Sequence, residues 1–333
     1  MSYTAQRANL IHPNSDLIED VKSVIDLFEN DIWLPASSSS KPLILYHYTS
    51  VEGLIGILES CSLWCTDVKY LNDPIELKYG KKLIYDKLQG YLKMEENAIL
   101  NAILKNLSQI IGILHKYDVY ISCFSQEDNL LSQWKNYASK GKGFNLGIEF
   151  NTECDVRTKT ACIGDISKEH YPVLRRVVYE EKEQNFIIED FISKIIRSTK
   201  EALKSNDEID WPPIVLYASN VLIELMLSFK NHNFREEREW RLITVLDKKY
   251  KQELRKFRVK DNEVVPYLDN YLYENANGIT EFPLRTIKSG PGLEDERTLS
   301  TIDLLLQNKA IFSKNIIINS DKVSISNSGY SIK

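Results

Sequence analysis

Apolar and polar positions alternate with a period of two over Phe144 to Phe150, and Leu43 to Tyr48 is rich in branched and aromatic residues, which predicts two strands. Between them the period changes. Val51, Leu54, Ile55 and Leu58 recur at helical spacing, and Thr49 with Glu52 three residues later fits a capping box. The result is a strand, a tight turn and a helix, with Leu43, Leu45, His47 and Thr49 on one strand face. His47 then sits beside the unpaired amides of a helix start, where a polar or anionic ligand could meet both.

The same reading extends along the chain. Leu17, Val21, Val24, Ile25 and Phe28 form a helical stripe, and Ser37 to Ser40 between Pro35 and Pro42 make a flexible joint. Residues 1–40 are therefore expected to be an N-terminal helix and Ser-rich linker, and residues 41–333 a single domain. Helices are predicted from Asp73-Pro74 to about Tyr91 and from Asn97 to Tyr117, then over Asn185 to Lys204 and from Pro212-Pro213 to Lys230. They form helical insertions at about 80–117 and 184–231. Strands are predicted at Val119 to Phe124, Arg175 to Tyr179, Arg238 to Leu246, Leu284 to Lys288, Ile316 to Asn319 and Val323 to Ser326. A short helix carries Trp134 and Tyr137, and another falls near Leu299 to Asn308. The fold class is α+β, with an antiparallel or mixed sheet.

Composition narrows the partners. A net charge of −5 argues against generic attachment to nucleic acid or anionic membrane, and 43% hydrophobic residues suit a globular core. The apolar runs fall short of a membrane span, and the first residues lack the apolar core of a secretory signal, so a cytoplasmic protein is expected. Five cysteines without paired spacing fit reduced thiols, and no metal is expected.

Candidate chemistry concentrates in three places. Strand alternation over Glu237 to Leu242 puts Glu237, Glu239 and Arg241 on one face and Trp240 with Leu242 on the other. Two carboxylates so placed can divide a task such as polarising a hydroxyl and accepting a proton. The plainer alternative is a solvated face neutralised by Arg235, Arg238 and Arg241. Asp73, Pro74 and Glu76 are explained as a helix start, which leaves Asn72 as the residue that capping does not require. His47 between Tyr46 and Tyr48 is either a core histidine or a ligand-facing one.

Tyr46-His47-Tyr48-Thr49, Leu63-Trp64, Leu71-Asn72-Asp73-Pro74 with Glu76, Cys123-Phe124-Ser125, Gln133-Trp134 with Tyr137, and Glu237-Arg238-Glu239-Trp240-Arg241 together resemble the bacterial family catalogued as domain of unknown function 2971. More distantly, the Tyr-His-x-Thr strand leading into an apolar helix resembles ADP-ribosyltransferases, notably the toxins that modify DNA bases. That resemblance implies a split mixed or antiparallel sheet core with helical insertions. It implies NAD as substrate and transfer of ADP-ribose to a macromolecular acceptor, nucleic acid or protein, in a toxin or phage-defence setting with a neutralising partner. Carried across by position, His47, Tyr48, Thr49, Asn72 and Ser125 would hold NAD, Glu239 would be catalytic and Glu237 its helper. NAD hydrolysis and a non-catalytic nucleotide- or partner-binding module remain as alternatives.

Overall fold

The apolar run Val119 to Phe124 becomes the middle of the central strand of a mixed sheet that has twelve strands among the described residues. The computed structural model describes residues 43–71, 74–112, 117–150, 155–158, 172–205, 211–247, 254–260, 262–276, 279–293, 296–308 and 316–330. The expected N-terminal helix and linker, and Asn72, lie outside these residues. The chain begins with β1 (Leu43–Thr49), α1 (Val51–Ser60) and β2 (Ser62–Asp67), followed by α2 (Pro74–Met94), α3 (Ala98–Gly112) and β3 (Tyr117–Ser125). It continues through α4 (Leu131–Tyr137), β4 (Phe144–Phe150), β5 (Asp155–Thr158), β6 (Val173–Arg176), α5 (Glu181–Ser205) and α6 (Pro212–Ser228). The last part holds β7 (Glu239–Asp247), β8 (Lys256–Lys260), β9 (Glu263–Ala276), β10 (Ile279–Glu281), β11 (Leu284–Ser289), α7 (Glu296–Gln307) and β12 (Ser324–Asn327).

Along the main path the strands run β10-β9-β2-β3-β1-β4-β11-β12, and all pairings are antiparallel except β11 with β12. One edge of β3 pairs with β7 over its whole length, from Tyr117 opposite Asp247 to Ser125 opposite Glu239. Its other edge is divided. β2 takes Ile121 and Tyr120, and β1 takes Ser125 through Tyr46. Pairing with β7 continues outward to β6, so β1, β3, β7 and β6 form one continuous patch.

Alternation along these strands sorts two cores. Leu45, Phe124, Leu146, Trp240 and Leu242 face one way, where Leu54, Ile57 and Leu58 of α1 and Ile302 and Leu306 of α7 cover them. Val119, Ile121 and Ile243 face the other way, beneath apolar residues of α2, α3, α5 and α6. The two predicted insertions therefore meet as one helical layer on a single face. Their approach is close: a Cβ on Gly80 of α2 would lie 2.2 Å from the carbonyl oxygen of Met226 in α6.

Local signals explain the β1 turn. Ser50, rather than Thr49, caps α1, its Oγ accepting the Gly53 amide at 3.1 Å. Thr49 instead packs where a Gly53 side chain would be, 2.0 Å from the position of its Cβ, so glycine is required by close approach. The helix ends at Cys61, whose φ of 47° is left-handed and whose amide bonds back to the last turn.

Candidate functional site

Two cations and two carboxylates form a buried cluster under the helical layer. Glu239 opens β7, and its partner across the ladder, Ser125, is in turn opposite Tyr46. These three positions make one row across three strands. Glu239 points toward the helical layer together with Arg241, which grips it in a fork: Nε donates to Oε1 at 2.7 Å and Nη2 to Oε2 at 2.9 Å. Arg241 is itself oriented by donating Nη1 to the Leu227 carbonyl at 2.7 Å.

Glu237 reaches the cluster differently from the expected strand alternation. It ends a 3₁₀ turn, His232–Glu237, which the Asn231 side chain caps and which Arg238, at φ 41°, closes in the left-handed region. Ser125 pins this turn, donating Oγ to the Glu237 carbonyl at 2.7 Å while accepting the Glu127 amide at 3.0 Å. Lys230, just beyond α6, joins the two acids: its Nζ lies 2.6 Å from Glu237 Oε2 and 3.0 Å from Glu239 Oε2. The Lys230 amide and carbonyl are fixed by the Val178 carbonyl and the Gln184 side chain. Tyr137 of α4 donates its hydroxyl toward Glu237 Oε1 at 3.5 Å, and the Tyr179 hydroxyl accepts the Glu239 amide at 2.9 Å.

Electrostatics follow from this packing. Side-chain exposures of 2% for Lys230, 8% for Glu237, 7% for Glu239 and 4% for Arg241 exclude bulk water from the charges. Burial pushes the Glu239 carboxyl up, but Arg241 and Lys230 together outweigh it and hold the group at about 2. Burial and then the nearby acids raise the hydroxyls of Tyr137 and Tyr179, and the Cys123 thiol rises through burial and Glu239. The acid is charged and its hydroxyl neighbours are neutral at physiological pH. Such an arrangement presents a fixed negative group without releasing a proton.

The other residues singled out in the sequence are distributed differently. His47 leaves β1 on the opposite face, its ring 5.6 Å from that of Phe124, and its Nδ1 donates to the Cys123 carbonyl at 2.8 Å. That partner leaves Nε2 as an acceptor, and burial lowers the imidazole to about 4. The structure therefore does not bring His47 and Glu239 to one face. Tyr48 faces the helical-layer side but is occupied structurally: its hydroxyl donates to the Glu127 carbonyl at 2.9 Å, accepts the Leu130 amide at 3.0 Å, and its ring meets Trp134 edge-on. Thr49 is buried at the turn, and Ser125 is consumed by backbone contacts. Of the expected neutralising arginines only Arg241 serves the acids. Arg238 pairs with Glu127, and Arg235 lies against His232.

Lys230 and Tyr179 are the members that sequence reasoning missed. A lysine just after an apolar helix reads as an ordinary partner of the helix C-terminus, and nothing local marks it as buried.

The architecture defines an α+β protein whose mixed sheet carries a buried acid-base cluster, and no described helix is long and apolar enough to cross a membrane. Residues 133–242, which include Trp134, Tyr137, Tyr179, Lys230, Glu237, Glu239 and Arg241, match the family described as a protein of unknown function (DUF2971). No curated protein and no solved structure matches the chain.

Proposed function

We propose that the chain is an ADP-ribosyltransferase-like enzyme that uses NAD to modify a nucleic acid or protein, with its chemistry at the Glu239 cluster. The observation that supports this reading is the row Tyr46–Ser125–Glu239 across β1, β3 and β7, with Glu237 tied to Glu239 through one lysine. In this reading the residue of β1 that faces Glu239 is Tyr46, not His47. Glu239 Oε1 accepts from Arg241 Nε, and the Cys123 thiol is a further donor to this carboxylate whose place a ribose hydroxyl would take. NAD supplies a glycosidic bond that breaks with its electron pair leaving on nicotinamide, so positive charge grows on the ribose. A carboxylate held ionised by Arg241 and Lys230 offsets that charge without rearranging, and the buried setting strengthens the attraction. Glu237 is then the group placed to orient the incoming nucleophile.

The test is nicotinamide release from NAD, with and without nucleic-acid and protein acceptors, by wild type and by Glu239→Gln. Release that disappears in the variant while the thermal melt stays cooperative supports the reading. Absence of release with every acceptor class refutes it.

The charge balance of the same cluster favours a second reading, a non-catalytic binding module. Lys230 pairs with both Glu237 and Glu239, and Arg241 with Glu239, so cations offset the acids and the network serves packing as well as chemistry. Saturable NAD binding without turnover would select it.

A further inference from the structure

A cleft lies at the far end of β3. From Ser125 to Asp118 the strand runs seven residues, roughly 24 Å at 3.4 Å per residue, so this cleft is separate from the Glu239 cluster. Its volume is about 340 Å³, and it is lined by Asp67, Lys69, Tyr70, Asp118, Arg255, Phe257 and Pro266. That size lies within the range of small-ligand sites.

The floor is polar and internally ordered. Arg255 pairs with Asp118 and donates Nε to the Tyr120 hydroxyl at 2.8 Å. Asp67 ends β2 and accepts the Lys69 amide on Oδ1 at 3.0 Å, while its Oδ2 has the Lys69 ammonium only at 3.7 Å. That separation is too long for a hydrogen bond. The Asp67 side chain is 7% exposed and Lys69 is 50% exposed, so a nearly buried carboxylate lines the cleft beside a half-exposed cation. The walls are apolar. Phe257 is 62% exposed and lies opposite Pro266 in the β8–β9 ladder, with Tyr70 at the rim.

We infer that this cleft binds a nucleobase carrying an exocyclic amino group, the amino group donating to Asp67 Oδ2 and the ring lying against Phe257. Charge decides the class. Two acids and two bases line the site, so a phosphate meets Asp67 and Asp118 and an ammonium meets Lys69 and Arg255. A neutral planar ring with a donor and an acceptor suits Asp67 and Lys69, while Asp118 and Arg255 neutralise each other. Lys69 is positioned to donate to a ring nitrogen once Asp67 takes the amino group. The exposed Phe257 ring supplies the stacking surface that any base presents a face to.

Calorimetric titration of the full chain with adenosine and inosine tests this directly, without reference to NAD turnover. Adenosine is expected to bind saturably and inosine, whose carbonyl replaces the amino group, at least about tenfold more weakly, because that carbonyl sets an acceptor against the Asp67 carboxylate in place of a donor. Phe257→Ala, a surface change that leaves the core intact, is expected to weaken adenosine by about fivefold or more. Asp67→Ala should lose the preference for adenosine over inosine. No saturation by adenosine up to about 1 mM, equal binding of inosine, or unchanged affinity in Phe257→Ala would each overturn the inference.

Discussion

His47 and Glu239 project from opposite faces of the same three-strand unit. β1 pairs Tyr46 with Ser125, and β3 pairs Ser125 with Glu239, so the residue after Tyr46 must point away from the acid. The Phe124 ring beside His47 and the Trp240 ring after Glu239 belong to one core, which confirms the sorting. A nicotinamide-release assay should therefore separate them. Glu239→Gln is expected to lose about 10²–10⁴-fold in rate, whereas His47→Ala should keep most of it. Equal losses would place both residues in one site and contradict the strand register.

Lys230 holds two acids at once, so its removal is costly. Lys230→Ala leaves Glu237 and Glu239 buried with Arg241 as the remaining cation of the quartet, and a loss of about 3–5 kcal/mol is expected for breaking such a network. Denaturant unfolding measures it. Removing Glu237 as well, in Lys230→Ala/Glu237→Gln, should recover part of the loss, since one stranded charge disappears.

Stability should depend on pH in two separable steps. Folded His47 takes up a proton only near 4, against 6.5 for the unfolded chain, so the unfolded chain binds more protons between these values. Stability falls as pH is lowered from 6.5 to about 4. Glu239 has the same sense at lower pH: its stabilising contribution is complete above 4.5 and is lost as pH falls toward about 2. In melts recorded against pH, His47→Gln should flatten the upper step and leave the lower one.

Gly80 is the contact point of two helices that the sequence places almost 150 residues apart. With its Cβ 2.2 Å from the Met226 carbonyl oxygen, Gly80→Ala forces α2 and α6 apart and should lower stability by about 1–3 kcal/mol. Gly90, on the same helix with nothing within 4 Å of its Cβ, is the control. Gly90→Ala should be neutral or stabilising.

Where pattern was local, the sequence was readable. Helical spacing placed α1, α2, α5, α6 and α7, and short runs rich in apolar, branched or alternating residues placed β1, β3, β4, β7, β11 and β12 within a few residues of their ends. The β8–β9 hairpin escaped notice because Pro266 interrupts an otherwise long strand and charged residues alternate through it. Here the proline lies opposite Phe257 in the pairing with β8. The acidic pair was legible as chemistry but not as environment. Its burial comes from Lys230, Tyr137 and Tyr179, which approach from three separate segments, and a cation at a helix end carries no sign of where its ammonium will lie. Likewise, period-two logic put Glu237 on the strand, whereas the left-handed Arg238 breaks the strand just before Glu239 and folds Glu237 into a turn.

The pairing of β3 with β7 also bears on how the protein is made. More than a hundred residues separate the two strands, and β3 carries β1 and β2 on its other side. As the nascent chain leaves the ribosome, the edge that awaits β7 stays open while all of the intervening helices emerge. That interval leaves an apolar strand edge open to wrong partners until its own partner strand has been synthesised.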